Sequence, residues 1–144
     1  MCLPFLFAQG SGHLTVGAIH KVEGKRNASV QAKIPVTVDA GFHVNSNTPS
    51  DDYLIPLKVI WTAKGALEGG ELVYPKPSME KVGGTDKPLS VFTGSLDILA
   101  NFKVAATATA GPGAVAGKLS YQACNDRMCF PPKTIEISVP YQVD

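Results

Sequence analysis

The chain has 144 residues, enough for one domain whose core needs no covalent staples. Thirteen basic residues against twelve acidic leave a net charge of +1 with no basic run, which excludes nucleic acid and polybasic membrane contact as organising partners. Charged residues make up only 17% while 14 residues are Gly and 11 are Pro, a balance that suits short strands and frequent turns rather than long helices.

The amino terminus opens with a short apolar run, Cys2-Leu3-Pro4-Phe5-Leu6-Phe7-Ala8, followed by Gln9-Gly10-Ser11-Gly12. The run is too short to span a bilayer. It reads as the tail of a signal-peptide apolar region, with Ala8 and Gly10 as small residues near a cleavage site, although the basic leading part is missing. Residues 1–12 are therefore expected to be a signal-peptide remnant or a disordered terminus, and residues 13–144 a single domain. Cys2 would leave with a cleaved signal.

Beyond this point alternation with a period of two recurs, the mark of half-buried strands. Short candidates are residues 13–18, 71–74 and 89–98, the last broken at Gly94. Val30, Ala32, Ile34, Val36 and Val38 form the clearest inward face, with Pro35 among them pointing to an edge or bulge position. Leu57, Val59 and Trp61 form a second face, Phe102, Val104, Ala106 and Ala108 a third, Leu119, Tyr121 and Ala123 a fourth, and Ile135, Ile137, Val139 and Tyr141 a fifth. Trp61 continues the Leu57–Val59 face and is read as core. Turn chemistry separates the strands at 39–41, 64–65, 68–70, 82–86 and 111–113. About eight strands at roughly ten-residue spacing, without crossover helices, predict an antiparallel β-sandwich. Two long loops, residues 45–56 and 75–88, are of a length usually reserved for function or mobility.

The chemistry concentrates in Tyr121-Gln122-Ala123-Cys124-Asn125-Asp126-Arg127-Met128-Cys129-Phe130-Pro131-Pro132, where two cysteines with four residues between them sit at a strand–turn–strand junction. In an exported protein such a pair suggests a disulfide. As a clip, the bond closes a very small ring, worth about 2 kcal/mol of chain entropy against roughly 4–5 for a ring of a hundred residues. A rim turn is also open to attack by another thiol. Arg127 favours a thiolate there and Asp126 opposes it. The residues leave open a structural clip and an exchangeable pair. A third reading gives Cys124, Met128 and Cys129 as soft ligands for Cu(I); His20 and His43 lie far off in sequence, and no Cys/His set completes a zinc site. Hydrolysis has no support, with no nucleophile elbow and no metal-binding His pair. No cofactor is called for.

The run Tyr121-Gln122-Ala123-Cys124 … Cys129-Phe130-Pro131-Pro132-Lys133-Thr134, closing a β-rich domain, resembles the amino-terminal periplasmic domain of the DsbD thiol:disulfide interchange proteins. Gly41-Phe42-His43-Val44-Asn45 is similar to that family's Gly-aromatic-His/Tyr segment, and Pro88-Leu89-Ser90-Val91-Phe92-Thr93-Gly94 to the strand after its cap loop. The likeness covers about residues 30–143. It implies an immunoglobulin-like antiparallel β-sandwich in the periplasm. A monomer is expected, since nothing in the residues argues for an oligomer. The likeness also implies a Cys124/Cys129 pair that takes electrons from a membrane-embedded donor and passes them to periplasmic thioredoxin-fold proteins. By the same likeness Cys129 forms the mixed disulfide, Cys124 resolves it, and a cap loop including Met79, Val82, Gly83 and Gly84 covers the pair. Two features depart from the best-known members. Four residues separate the cysteines in place of five, and the cap offers Met79, Val82 and two glycines in place of an aromatic. The residues also hold no membrane-embedded or thioredoxin-like domain, so the chain is not expected to carry electrons across a membrane alone.

Overall fold

The computed structural model describes residues 9–10, 12–81 and 87–144. Cys2, most of the expected signal remnant and the cap residues Val82, Gly83 and Gly84 lie outside the described residues. The described chain is all β. Its strands are β1 (Gln9–Gly10), β2 (Leu14–Val16), β3 (Val22–Gly24), β4 (Ser29–Val38), β5 (His43–Asn45), β6 (Lys58–Ala63), β7 (Leu67–Val73), β8 (Ser78–Glu80), β9 (Leu89–Phe92), β10 (Ser95–Val104), β11 (Gly111–Tyr121), β12 (Ala123–Cys124) and β13 (Lys133–Val143).

Two sheets make the sandwich, in strand orders β1-β2-β4-β10-β7 and β3-β13-β11-β6. This is the immunoglobulin-like β-sandwich expected. A third, small sheet, β12-β5-β9-β8, closes one end. The alternation does the work predicted for it. Ala32, Ile34, Val36 and Val38 of β4 are buried, as are Leu119 and Tyr121 of β11 and Ile135, Ile137, Val139 and Tyr141 of β13. Burying a Val, Leu or Ile side chain contributes about 1.5–3 kcal/mol each, so this row of faces is the main source of stability. The core has two lobes. One, around Phe102, Val115, Val139 and Tyr141, fills the far end. The other, around Ile34, Leu57, Leu119 and Tyr121, continues under the small sheet through Val44, Phe92 and Ala123. The small sheet is thereby anchored to the sandwich by its own apolar side chains.

Four local expectations are corrected. The sandwich contains one parallel pair, β3 with β13 (Tyr141↔Val22 to Val143↔Gly24). No helix is needed for it, because the chain leaves β2 in one sheet and crosses at residues 17–21 to the edge of the other. Glu68-Gly69-Gly70 is a bulge inside β7, with the register slipping between Asn101 and Phe102 and both glycines at positive φ (84° and 96°). Gly70 makes room for Trp61, whose indole N–H donates to the Gly70 carbonyl at 2.8 Å. Gly111-Pro112-Gly113 opens β11 rather than turning, and Gly113 accommodates the ring of Tyr141 across the ladder. The strand carrying Phe102 ends at Val104, and residues 105–110 form the connection, where Ala108 N–H donates to the Ala105 carbonyl at 3.1 Å. Beyond Val104 the partner strand β7 has run out at Leu67, so alternating alanines have nothing to pair with.

Pro35 lies within β4, between β2 and β10, at the point where the β2 ladder ends after Val16↔Val36. Its carbonyl accepts from Gly17 N–H at 2.9 Å, just where the chain turns away from β2. The carbonyl and the nitrogen of a strand residue point to the same side, so the missing N–H faces that local edge and not β10.

Candidate functional site

The two cysteines are placed by the small sheet. Cys124 ends β12, paired on one side with β5 (Ala123↔Val44, Cys124↔His43) and on the other by an antiparallel bridge to Cys129. Phe130 N–H donates to the Ala123 carbonyl and Asn125 N–H to the Met128 carbonyl, each at 2.9 Å. These bonds flank the cysteines, which makes Cys124 and Cys129 a non-hydrogen-bonded pair, the position where opposed side chains stand closest. Their Cα atoms are 4.0 Å apart and a disulfide joins them.

The four residues between them fold back on one side chain. Asn125 Oδ1 accepts from Arg127 N–H at 2.8 Å and from Met128 N–H at 2.9 Å. Asn is suited to this because its short amide reaches its own backbone two residues on. The flanking motif residues have equally physical roles. Gln122 Nε2 donates to the Phe130 carbonyl at 3.1 Å, holding the two arms of the turn together. Tyr121 is fully buried, and its hydroxyl donates to the Gly12 carbonyl at 3.3 Å, tying the amino-terminal segment to the site.

The two sulfur-bearing residues differ in environment. Cys124 is buried, with 5% of its surface exposed, whereas Cys129 is an exposed residue at the outer rim. An incoming thiol or disulfide meets Cys129 first. Beside it is an aromatic group that sequence reasoning did not assemble. His13 stacks on Phe42 with ring centroids 3.8 Å apart and planes 13° from parallel, and Phe130 lies 4.9 Å from His13 and 5.8 Å from Phe42. His13 Nδ1 also meets Asp39 Oδ2 at 3.3 Å. No spacing rule could have found this set, because its members come from residues 13, 42 and 130.

His43 is the second residue whose place only folding reveals. Far from the cysteines in sequence, it is the cross-strand partner of Cys124 and is itself buried. Burial pushes its imidazole pKa below the ordinary 6.5, while the carboxylates of Glu80 and Asp126 pull the other way. Its signal in the sequence was the Gly41-Phe42-His43 segment, which marked the family likeness and not the contact.

The expected cap is the hairpin of β8 and β9, paired Ser78↔Val91, Met79↔Ser90 and Glu80↔Leu89. It joins the cysteine turn through β5, since β9 pairs with β5 (Val44↔Phe92, Asn45↔Val91). Met79 is 61% exposed on β8. The hairpin is fastened from within: Ser46 Oγ and Ser90 Oγ are 2.6 Å apart, Ser46 N–H donates to the Ser90 carbonyl at 3.0 Å, and Ser90 N–H donates to Ser50 Oγ at 3.0 Å. The polar half of the 45–56 loop thus serves to hold β9 in place, and Asn45 Nδ2 pins its far end by donating to the Ile55 carbonyl at 3.0 Å.

Comparison with proteins of curated description finds no match. Among solved structures, the N-terminal periplasmic domain of ScsB from Proteus mirabilis is similar with a TM-score of 0.60 and 14% identity, over 92% of this chain. The chain spans 47% of that structure's length, and the likeness at this identity concerns the fold alone. The reduced N-terminal domain of DsbD from Neisseria meningitidis aligns with a TM-score of 0.49 and 16% identity, over 83% of this chain and 86% of that one. The family described as thiol:disulfide interchange protein DsbD, N-terminal, matches residues 13–140, which is nearly all of the domain. The chain belongs to this DsbD amino-terminal domain family of thiol:disulfide interchange proteins.

Proposed function

We propose that this domain is a periplasmic dithiol–disulfide exchange module that carries reducing equivalents from a membrane-embedded donor to thioredoxin-fold oxidoreductases, acting as a monomer. The observation that carries the reading is the asymmetry of the pair, with Cys129 exposed at the rim and Cys124 buried behind it. In the reduced domain the Cys129 thiolate attacks a partner disulfide. One partner sulfur leaves as a thiolate, and a mixed disulfide to Cys129 forms. Cys124 then attacks Cys129 Sγ, the mixed bond breaks, the partner's second sulfur leaves as a thiolate, and two electrons have moved to the partner as the Cys124–Cys129 disulfide re-forms. The small ring supports the same reading, since a bond that contributes little to stability is not kept for stability. The half-buried His13, Phe42 and Phe130 rings offer the apolar contact a docking partner would cover.

The test is trapping. Reduced Cys124→Ser protein, mixed with purified oxidised periplasmic thioredoxin-fold proteins, accumulates a mixed disulfide that peptide mapping assigns to Cys129. The reverse variant, Cys129→Ser, accumulates little. No adduct with any such partner from the Cys124→Ser protein would end the proposal.

A further inference from the structure

In an antiparallel ladder, directly opposed residues project to the same face of the sheet. Cys124 is opposed by Cys129 on one side and by His43 on the other. The three side chains therefore form a single transverse row, Cys129–Cys124–His43, in which directly opposed ladder residues such as Cys124 and His43 have Cβ atoms about 4.5–5.5 Å apart. The inner two members are both buried, at 5% and 6% exposure. The exchange chemistry uses the two sulfurs and leaves the third member of the row without a role.

That row meets a need of the reaction. Cys124 must give up its proton before it can attack the mixed disulfide, because the thiolate is the nucleophile. Burial works against this, since an apolar surrounding disfavours the charged form of a thiol. Bulk water has little access to take the proton. We propose that His43 is the proton acceptor for Cys124 in the resolving step. This inference rests on the exchange reading above.

In the step, the Cys124 S–H proton passes to a His43 ring nitrogen. The Cys124 sulfur attacks Cys129 Sγ, the Cys124–Cys129 bond forms, and the bond from Cys129 to the partner breaks. The electron pair leaves on the partner sulfur, which takes up a proton as the imidazolium returns to neutral. Overall, one dithiol is oxidised and one partner disulfide reduced. Two neighbours help. Glu80, on β8, and Asp126, in the cysteine turn, are the carboxylates acting on His43, and both stabilise the imidazolium while it exists. Burial keeps the ring neutral, and able to accept, before the step begins.

The Cys124 thiol can be read on its own in a Cys2→Ser/Cys129→Ser protein, by following iodoacetamide alkylation of Cys124 between about pH 5 and 10. With His43 present, alkylation is expected to rise through an inflection in the imidazole range, below that of an ordinary thiol. Adding His43→Gln should remove that inflection and slow alkylation at neutral pH by about tenfold, because an unassisted thiol is only a few per cent ionised there. Superimposable profiles within twofold, from two folded proteins, would overturn the proposal. Where the His43→Gln protein does not fold, the His43 ring is titrated by NMR in the otherwise native chain. Reducing the disulfide should move its midpoint to higher pH, as a thiolate appears beside it, and an unmoved midpoint overturns the proposal. Failure here is distinct from failure of exchange. A trapped Cys129 adduct with a His43-independent Cys124 profile removes His43 alone. A His43-dependent profile with no trapped adduct removes the exchange reading and leaves the proton coupling standing.

Discussion

Reducing the Cys124–Cys129 bond is predicted to weaken the domain only slightly. The ring it closes spans a sequence separation of five. Chain entropy for so few residues gives about 2 kcal/mol. The other fastenings of the turn do not involve sulfur: Phe130 to Ala123, Asn125 to Met128, Gln122 to Phe130, and the Asn125 side chain to Arg127 and Met128. Behind them the turn is backed by β5 and by the buried Val44, Ala123 and Tyr121. The reduced domain should therefore stay folded with the same cooperative unit. The assay is urea unfolding of the oxidised protein and of the same protein in excess dithiol, followed by Trp61 fluorescence. With a slope of about 2 kcal/mol/M, the midpoints should differ by about 1 M at constant slope. In redox terms the same 2 kcal/mol is about 40 mV, a modest bias toward the closed bond that a partner can reverse. A loss of about 4 kcal/mol or more, or a reduced state without cooperative unfolding, would refute the reasoning, because the bond would then be a principal staple. A reduction potential below about −300 mV would tell the same story from the chemical side.

Asn125→Ala removes the acceptor of two turn N–H groups. It should cost about 1 kcal/mol in this exposed turn and speed reduction of the disulfide by dithiol, so an unchanged reduction rate would count against the turn's role in holding the sulfurs together. Gly70→Ala sets a β-carbon against the Trp61 indole at a residue with φ of 96°. It should destabilise by about 2 kcal/mol or more in thermal melts and red-shift Trp61 emission, while trapping through Cys129 is unaffected. His43 titrates below its ordinary 6.5 in the folded protein. Above 6.5 the ring is neutral in both states and its contribution to stability is intact. As pH falls from there toward the lowered folded pKa, the unfolded state takes up the proton first and stability is lost. In urea titrations at stepped pH, His43→Gln should flatten that acid-side loss, and an undiminished loss would show that other groups carry it.

The strand faces were legible because period-two burial is a local property. Val30 to Val38, Leu119 to Tyr121 and Ile135 to Tyr141 each carry their own inside and outside. The errors fell where a neighbour decides. Gly69-Gly70 and Gly111-Pro112-Gly113 have turn composition, yet they lie in strands because Trp61 and Tyr141 need the space a missing side chain leaves. Ala106 and Ala108 alternate as a strand would, but no partner extends beyond Leu67 to pair with them. The short strands β3, β5 and β8 have too few residues for any period to show, and they exist through the partners they meet.

From its sequence alone, the chain reads as a β-sandwich with a close cysteine pair at a rim turn and a likeness to a thiol:disulfide interchange family: alternation, turn residues and the Tyr121–Pro132 motif are all carried by contiguous residues. Only the tertiary structure decided that Cys124 is buried and Cys129 exposed, that His43 stands behind Cys124, and that His13, Phe42 and Phe130 meet at the rim. Each of those facts depends on which strands become neighbours. Strand order is settled by the packing of two whole sheets, to which every residue contributes a little and no short stretch contributes enough to be read by itself.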